Sequence, residues 1–145
     1  MPPSAVVDAS VLVSAFLFPG SLPGLVVTGA RRNAFTLHTS AILIEETRRS
    51  LLKPRLVERY GHGEADVARW CRELAARGPV FVGELPAITS GCRDPDDDHV
   101  IATAVAVSAT HIVTGDRDLL DLGTFGAIRI VTARTFLDLL DEAVE

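Results

Sequence analysis

The sequence has few of the residues on which several large classes of protein depend. Only two of its 145 residues are cysteines, Cys71 and Cys92, and they form no CxxC pair and have no histidine at a zinc-ligand spacing. This pattern excludes a disulfide-stapled scaffold and a zinc finger. Every apolar run stops well short of the roughly 20 residues that a membrane-spanning helix needs. We therefore expect two reduced thiols in one globular domain over residues 1–145, with no membrane as a partner.

Lysine is almost absent as well, and the charge is unevenly distributed. Lys53 is the single lysine, and the formal net charge is −5. Residues 31–77 carry ten bases and six acids, whereas residues 78–145 carry four bases and twelve acids. A net-acidic chain is not a general DNA-coating protein, although its basic middle offers local contacts to nucleic acid. Because the N-terminal residues show no secretory signal, we expect a cytoplasmic location.

What the sequence does contain is an alternation of short apolar strands and helices. This alternation is typical of a parallel sheet that is covered on both faces. We predict an α/β fold, a three-layer α/β/α sandwich with a central, mostly parallel sheet and the first strand near its centre. The predicted strands span residues 5–7, 34–38, 79–82, 111–114 and 128–131, and the predicted helices span residues 10–18, 22–32, 40–53, 63–77, 97–108 and 133–143.

Acidic residues stand where the predicted strands end and where helices begin. Asp8 follows the first strand, Asp116 follows the strand over 111–114, and Asp98 opens the helix before that strand. Ligand sites in such sheets lie beyond the carboxyl ends of the strands. Clustered carboxylates repel one another unless a cation neutralises them, and oxygen ligands suit Mg²⁺ or Mn²⁺. Such an ion holds a phosphate and activates water, which predicts hydrolysis of a phosphodiester.

Several of these acids have a second interpretation. Aspartates before a helix also act as caps, but four acids within residues 94–98 exceed what capping needs. Asp116 and Asp118 are also typical turn residues. The helical wheel does not separate Glu45 from Glu46 as the residue that faces the site.

Four segments together resemble the PIN-domain family. The resemblance covers almost the whole chain, and its most specific part is the acidic tract followed by Val-Thr-Gly-Asp-Arg-Asp. It is greatest to the toxin-type (VapC-like) ribonucleases of prokaryotic toxin–antitoxin modules. The segments that carry it are Val6 to Ala15, Ser40 to Glu46, Arg93 to Asp98 and Val113 to Leu120.

The resemblance implies a Mg²⁺- or Mn²⁺-dependent endoribonuclease. Its partners would be an RNA substrate, a small antitoxin protein and a second copy of the chain in a homodimer. Ser10 stands where the family often has asparagine. The family's catalytic and metal-binding acids fall on Asp8, Glu46, Asp98 and Asp116, with Ser10, Glu45, Thr114 and Asp118 as auxiliary residues.

Three other functions were weighed against this one. A receiver-type phosphoacceptor domain needs a lysine after its last strand, and a haloacid-dehalogenase-type phosphatase needs Asp-x-Asp where residues 8–10 read Asp-Ala-Ser. A non-catalytic PIN-like protein that binds RNA or a partner remains as the alternative.

Asp8→Asn and Asp98→Asn are expected to remove cleavage and leave the fold equally stable, since each relieves carboxylate repulsion. The pairs Arg31–Arg32 and Arg48–Arg49 fit either solvated helix ends or contacts to the RNA backbone.

Overall fold

The computed structural model describes residues 3–89 and 97–144, and within these ranges it contains one six-stranded sheet. The strand order is β3-β2-β1-β4-β6-β5. Cys92 and two members of the acidic tract, Asp94 and Asp96, lie outside the described residues. The strands are β1 (Ser4–Val7), β2 (Thr36–Ser40), β3 (Val80–Phe81), β4 (His111–Val113), β5 (Thr124–Phe125) and β6 (Ile128–Val131).

All strand pairs except β5–β6 are parallel, and β1 lies in the interior of the sheet. The predicted mostly parallel sheet with its first strand near the centre is therefore confirmed. Three short elements were not predicted: strand β5, which pairs antiparallel with β6, and helices α4 and α7. The helices are α1 (Ala9–Leu17), α2 (Leu22–Arg31), α3 (Ala41–Leu51), α4 (Pro54–Tyr60), α5 (Glu64–Ala76), α6 (Asp98–Val107), α7 (Arg117–Leu122) and α8 (Ala133–Val144).

Capping explains where helices α3 and α4 begin and end. Ser40 caps α3, since its side chain accepts a hydrogen bond of 3.0 Å from the backbone N–H of Leu43. Pro54 was interpreted only as the end of that helix, but it also begins α4, because the first turn of a helix does not need the N–H that proline lacks. Gly61, at φ 75°, ends α4 in the left-handed conformation that glycine tolerates best.

The core lies in two layers, one on each face of the sheet. Ala5 and Val7 of β1 point to one face and pack with residues of α1, α2 and α8, including Phe136. Val6 points to the other face and packs with residues of α3, α6 and α7, including Ile101. The alternation follows from the two-residue period of a strand, and it confirms the α/β/α sandwich. Among the described helices, none is by itself long and apolar enough to cross a membrane, although α1 and α2, bent by 95°, together meet that criterion of length and composition.

The topology brings three helix N-termini to one edge of the sheet. Strands β1 and β4 pair in register, with Val7 beside Val113, so the residues that follow them are neighbours. Helices α1 and α7 begin directly beyond these two strand ends. Helix α6 leads back to the start of β4, so its own first residues also lie near the carboxyl edge. This edge is where a parallel sheet of this kind places its ligand site.

Candidate metal centre

Asp8 is a buried carboxylate that three donors hold in place. It is the N-cap of α1 and only 6% exposed. Its Oδ1 accepts a hydrogen bond of 2.8 Å from the backbone N–H of Ala9. Its Oδ2 accepts hydrogen bonds from the hydroxyls of Ser10, at 3.3 Å, and Thr114, at 2.7 Å. Hydrogen bonds of this kind fix the orientation of the carboxylate.

The hydroxyl of Thr114 connects the carboxyl ends of the two central strands. It donates to Asp8 and accepts a hydrogen bond of 2.9 Å from the backbone N–H of Asp116. Ser10 makes a second, weaker connection, since its Oγ accepts a hydrogen bond of 3.3 Å from the backbone N–H of Gly115. The two residues that were proposed as auxiliary for their hydroxyls thus lie beside Asp8 and orient the segment that carries Asp116.

Asp116 is the N-cap of α7. Its Oδ1 accepts hydrogen bonds from the backbone N–H groups of Asp118, at 2.8 Å, and Leu119, at 3.3 Å. The sequence offered Asp116 as a turn residue, and in the structure it caps a helix, which is compatible with a second role as a metal ligand. One carboxylate oxygen from each of Asp97, Asp116 and Asp118 lies within 4.8 Å of the others, close enough to share a single ion.

An open cavity of about 500 Å³ lies over these residues. Four carboxylates reach it from four different segments of the chain, and no arginine or lysine is among the described residues that line it. The described part of its wall is therefore rich in negative charge. The lining residues are Asp8, Ala9, Ser10, Val13, Glu46, Ser50, Asp97, His99, Val100 and Asp116.

The structure separates Glu46 from Glu45. Glu46 lines the acidic cavity, where its Oε2 accepts a hydrogen bond of 2.9 Å from Nε2 of His99. Glu45 instead accepts two hydrogen bonds from Arg48, at 2.6 and 2.9 Å, and one of 3.2 Å from Arg49. The hydrogen bonds from Arg48 lower the pKa of Glu45 to about 2. Glu46 is therefore the helix α3 carboxylate that reaches the cavity.

At the start of α6 the cavity is lined by Asp97, whereas the sequence interpretation chose Asp98. Asp97 is the N-cap residue, and α6 proper begins one residue later. Successive helical residues point about 100° apart, so two neighbouring aspartates cannot share one direction. The structure brings Asp97 together with Asp116 and Asp118, and the assignment of Asp98 as a ligand stays a prediction.

Sequence reasoning missed two other residues at the cavity. Ser50 follows Glu46 by four positions on α3, so helical spacing alone could have placed it there. The second is His99, whose Nε2 lies 2.9 Å from Oε2 of Glu46; an ionised carboxylate has no donor, so the imidazole N–H donates to it. Within the described ranges, its Nδ1 is buried without a hydrogen-bond partner. No signal in the sequence links His99 to a residue 53 positions earlier.

The donor set of this cavity fits Mg²⁺ or Mn²⁺. The candidate ligands are carboxylate oxygens, and hard divalent cations prefer oxygen, whereas zinc sites use cysteine and histidine more often. Carboxylates this close to one another repel unless a cation neutralises them. The residues present here are therefore suited to a divalent ion.

The position of Thr114 predicts a stability effect. Thr114 is fully buried, so Thr114→Val would leave the N–H of Asp116 without its acceptor and remove one donor from Asp8. We expect Thr114→Val to lower the free energy of unfolding by about 2–4 kcal/mol, because a hydrogen bond to a charged group and a backbone partner are lost together. Thr114→Ser keeps the hydroxyl and is expected to cost about 1 kcal/mol for its missing methyl group. Urea denaturation measures both values, and equal losses in the two variants would contradict the role of the hydroxyl.

Comparisons with known proteins agree with this arrangement. The PIN domain family, as a sequence profile, matches residues 4–118. The uncharacterized protein MJ1680 of Methanocaldococcus jannaschii is 30% identical over 118 residues, which are 81% of this chain and 73% of that protein. The crystal structure of PAE2754 from Pyrobaculum aerophilum shares the fold, with a TM-score of 0.52 and 21% identity over 98% of this chain and 92% of that one. The matched family region contains every acidic residue of the cavity, and the chain therefore belongs to the PIN domain family.

Proposed function

We propose that this protein is a Mg²⁺- or Mn²⁺-dependent endoribonuclease that hydrolyses RNA phosphodiester bonds. PIN domains are generally nucleases with a metal-binding acidic cluster. The observation that carries the proposal is the open cavity in which Asp8, Glu46, Asp97 and Asp116 meet without an arginine or lysine among its described lining residues. A bound divalent cation would neutralise part of this negative charge and so allow an anionic substrate to approach.

The protein's own contribution is to hold the carboxylates ready for the ion. Thr114 fixes Asp8 relative to the segment of Asp116, and His99 fixes Glu46 by a hydrogen bond from Nε2. Such outer partners are usually worth a factor of 10–100 in metal affinity or activity. A bound divalent ion supplies charge neutralisation for the phosphate and a water of lowered pKa. His99 is thereby a positioning residue, which agrees with the expectation that a separate general base is unnecessary.

The toxin role belongs to the same proposal. It is supported by the resemblance of the strand-end motifs at Asp8 and Asp116 to toxin-type PIN proteins. We accordingly propose a small antitoxin protein as partner, a homodimer and a cytoplasmic location. The alternative is a PIN-like protein that binds RNA or a partner without cleaving it, and the same experiment separates the two.

The decisive experiment compares two neighbouring glutamates on α3. Glu46→Gln removes a charge from the acidic cavity, whereas Glu45→Gln makes the same chemical change in an equally exposed residue that pairs with Arg48 outside that cavity. With single-stranded RNA and Mn²⁺, we expect Glu46→Gln to reduce kcat/KM by at least about 100-fold, since loss of a direct metal ligand exceeds the usual effect of a supporting partner. Calorimetry should show a parallel loss of Mn²⁺ affinity. Glu45→Gln should retain its Mn²⁺ affinity and most of kcat.

Two results would contradict the proposal. Cleavage that continues in excess EDTA would show that no divalent ion takes part. A wild-type protein that binds RNA in the presence of Mn²⁺ but never cleaves it would favour the non-catalytic alternative. Equal losses in Glu45→Gln and Glu46→Gln would indicate a general effect of charge on α3 and would remove Glu46 from the ligand set.

A further inference from the structure

A second cavity adjoins the acidic one across helix α3. Its volume is about 430 Å³, and it shares Glu46 and Ser50 with the acidic cavity. Because the two cavities share these walls, a chain-like ligand whose reacting phosphate lies over the carboxylates can continue into the second one. We call this second cavity the α3 groove; it is lined by Ala41, Ile42, Glu45, Glu46, Arg49 and Ser50.

Arg49 is the arginine that lines the α3 groove, where it stands beside Glu45. Arg48 and Arg49 both bind Glu45, so two guanidinium groups face one carboxylate. Arg48 uses Nε and one Nη for this carboxylate, whereas Arg49 uses only Nε, at 3.2 Å. The side chain of Arg49 is 76% exposed. Glu45 therefore restrains Arg49 and leaves its terminal nitrogens available to an anion.

The other arginine pair identified in the sequence, Arg31–Arg32, lies away from the α3 groove. Arg31 forms a long ion pair of 3.8 Å with Glu73 of α5. It lines a separate cavity beside Trp70, and none of that cavity's described lining residues belongs to the acidic cavity. Among these four arginines, Arg49 is the one that lines the α3 groove beside the candidate metal centre.

We propose that the α3 groove binds the phosphodiester adjacent to the scissile one in a single-stranded RNA, with Arg49 as its phosphate ligand. This inference rests on the proposed function and adds the path that the substrate follows. The N–H donors of a guanidinium match the geometry of phosphate oxygens, and the group stays positively charged at every working pH. Ile42, at 48% exposed, provides an apolar surface for the unstacked base of the same nucleotide. The substrate is thus held by a cation on each side of Glu46: the metal ion over the acidic cavity and Arg49 in the groove.

Arg49→Gln tests the proposal, with Arg69→Gln as the matched control. Arg69 is also an exposed helix arginine in an ion pair, with Asp66 three residues earlier, and it lines neither cavity. We expect Arg49→Gln to raise KM for a single-stranded RNA about five- to tenfold with little change in kcat, since it loses one charge-assisted contact. Arg49→Lys should recover part of this loss. The slope of log(kcat/KM) against log[NaCl] should become shallower by about 0.7, the value for one phosphate contact on a single strand.

Two further measurements separate RNA binding from the metal site. Mn²⁺ affinity by calorimetry should be unchanged or slightly higher in Arg49→Gln, because a nearby positive charge has been removed. In the Glu46→Gln background, fluorescence anisotropy with a labelled RNA oligonucleotide should show weaker binding when Arg49→Gln is added and no change when Arg69→Gln is added.

Each outcome decides between the inference and the proposed function. If the wild type cleaves RNA and Arg49→Gln behaves like Arg69→Gln in KM and salt dependence, this inference is overturned and the proposed function stands. A loss of Mn²⁺ affinity in Arg49→Gln would also overturn it, since Arg49 would then act on the metal site. If the wild type neither binds nor cleaves RNA, the proposed function fails and this inference fails with it.

Discussion

Asp116→Asn is expected to abolish metal-dependent cleavage and to leave the fold intact. Asparagine caps a helix as well as aspartate does, so the hydrogen bonds to the N–H groups of Asp118 and Leu119 can persist. The metal ion, however, loses a charged oxygen ligand. We expect kcat/KM to fall by at least about 100-fold, since even loss of a supporting partner costs 10–100-fold. Relief of repulsion with Asp97 and Asp118 should keep the melting temperature of the metal-free protein equal or raise it.

Asp121→Asn is the matched control for this variant. Asp121 lies on the same short helix α7, is exposed, and does not line the acidic cavity. Its replacement should leave cleavage and Mn²⁺ affinity as they are. A fall in the melting temperature of Asp116→Asn by several degrees, with Mn²⁺ affinity retained, would instead mean that Asp116 is a structural cap and not a ligand.

The second large effect is a difference in Mn²⁺ affinity between the variants Asp97→Asn and Asp98→Asn. Asp97 lines the acidic cavity and lies within 4.8 Å of Asp116 and Asp118, so Asp97→Asn should weaken Mn²⁺ binding by at least about tenfold. Asp98→Asn removes the same charge one residue further along, from a residue that is not among those lining the acidic cavity. We expect the loss of this charge to weaken Mn²⁺ binding by at most about threefold, and added salt should reduce the effect.

Calorimetric titration of both variants with Mn²⁺, at two salt concentrations, measures the difference. RNA cleavage by the same two proteins should follow the same order. The reverse order would restore Asp98, the residue chosen from the sequence, as the ligand from α6. Equal losses that vanish at high salt would mean that neither residue touches the ion.

Much of the fold was predictable because local and long-range signals agree. Strand β6 was predicted with its observed bounds, and Ser40 was predicted as the cap of α3. Prediction from the sequence was less accurate where an element is very short or where one residue permits two interpretations. Strand β5 has two residues and depends on its hairpin partner, and Pro54 both ends one helix and begins the next.

In the candidate site, too, some residues could be predicted from the sequence and others could not. Asp8 and Asp116 were predictable because a strand end fixes the position of the residue that follows it. The helical wheel did not show which of Glu45 and Glu46 faces the site. The rotation of α3 about its axis is set by the burial of Leu43, Thr47 and Leu51 against the rest of the protein. The pairing of Arg48 and Arg49 with Glu45 is a consequence of that rotation.

Asp8 shows why burial changes the choice of variant. Its sequence position led to the expectation that Asp8→Asn leaves the fold equally stable. In the structure its two oxygens accept hydrogen bonds from a backbone N–H and two hydroxyls, all of them donors. In either orientation of an asparagine amide, its NH₂ group would face one of these donors, so a hydrogen bond would be lost. This loss of stability opposes the gain from relieving carboxylate repulsion. Asp116→Asn, which keeps its capping role, therefore separates metal binding from stability more clearly than Asp8→Asn does.

The pairing of β1 with β4 also sets the order in which the acidic cavity can be completed during synthesis. The hydrogen bond between Thr114 and Asp8 joins residues 106 positions apart. At common translation rates, the ribosome needs about 5–20 s to add the residues between them. Until β4 and the residues after it have been synthesised, the growing polypeptide lacks both Thr114, which holds Asp8, and Asp116, which lines the cavity. The acidic cavity therefore cannot form co-translationally from the N-terminal helices and strands alone.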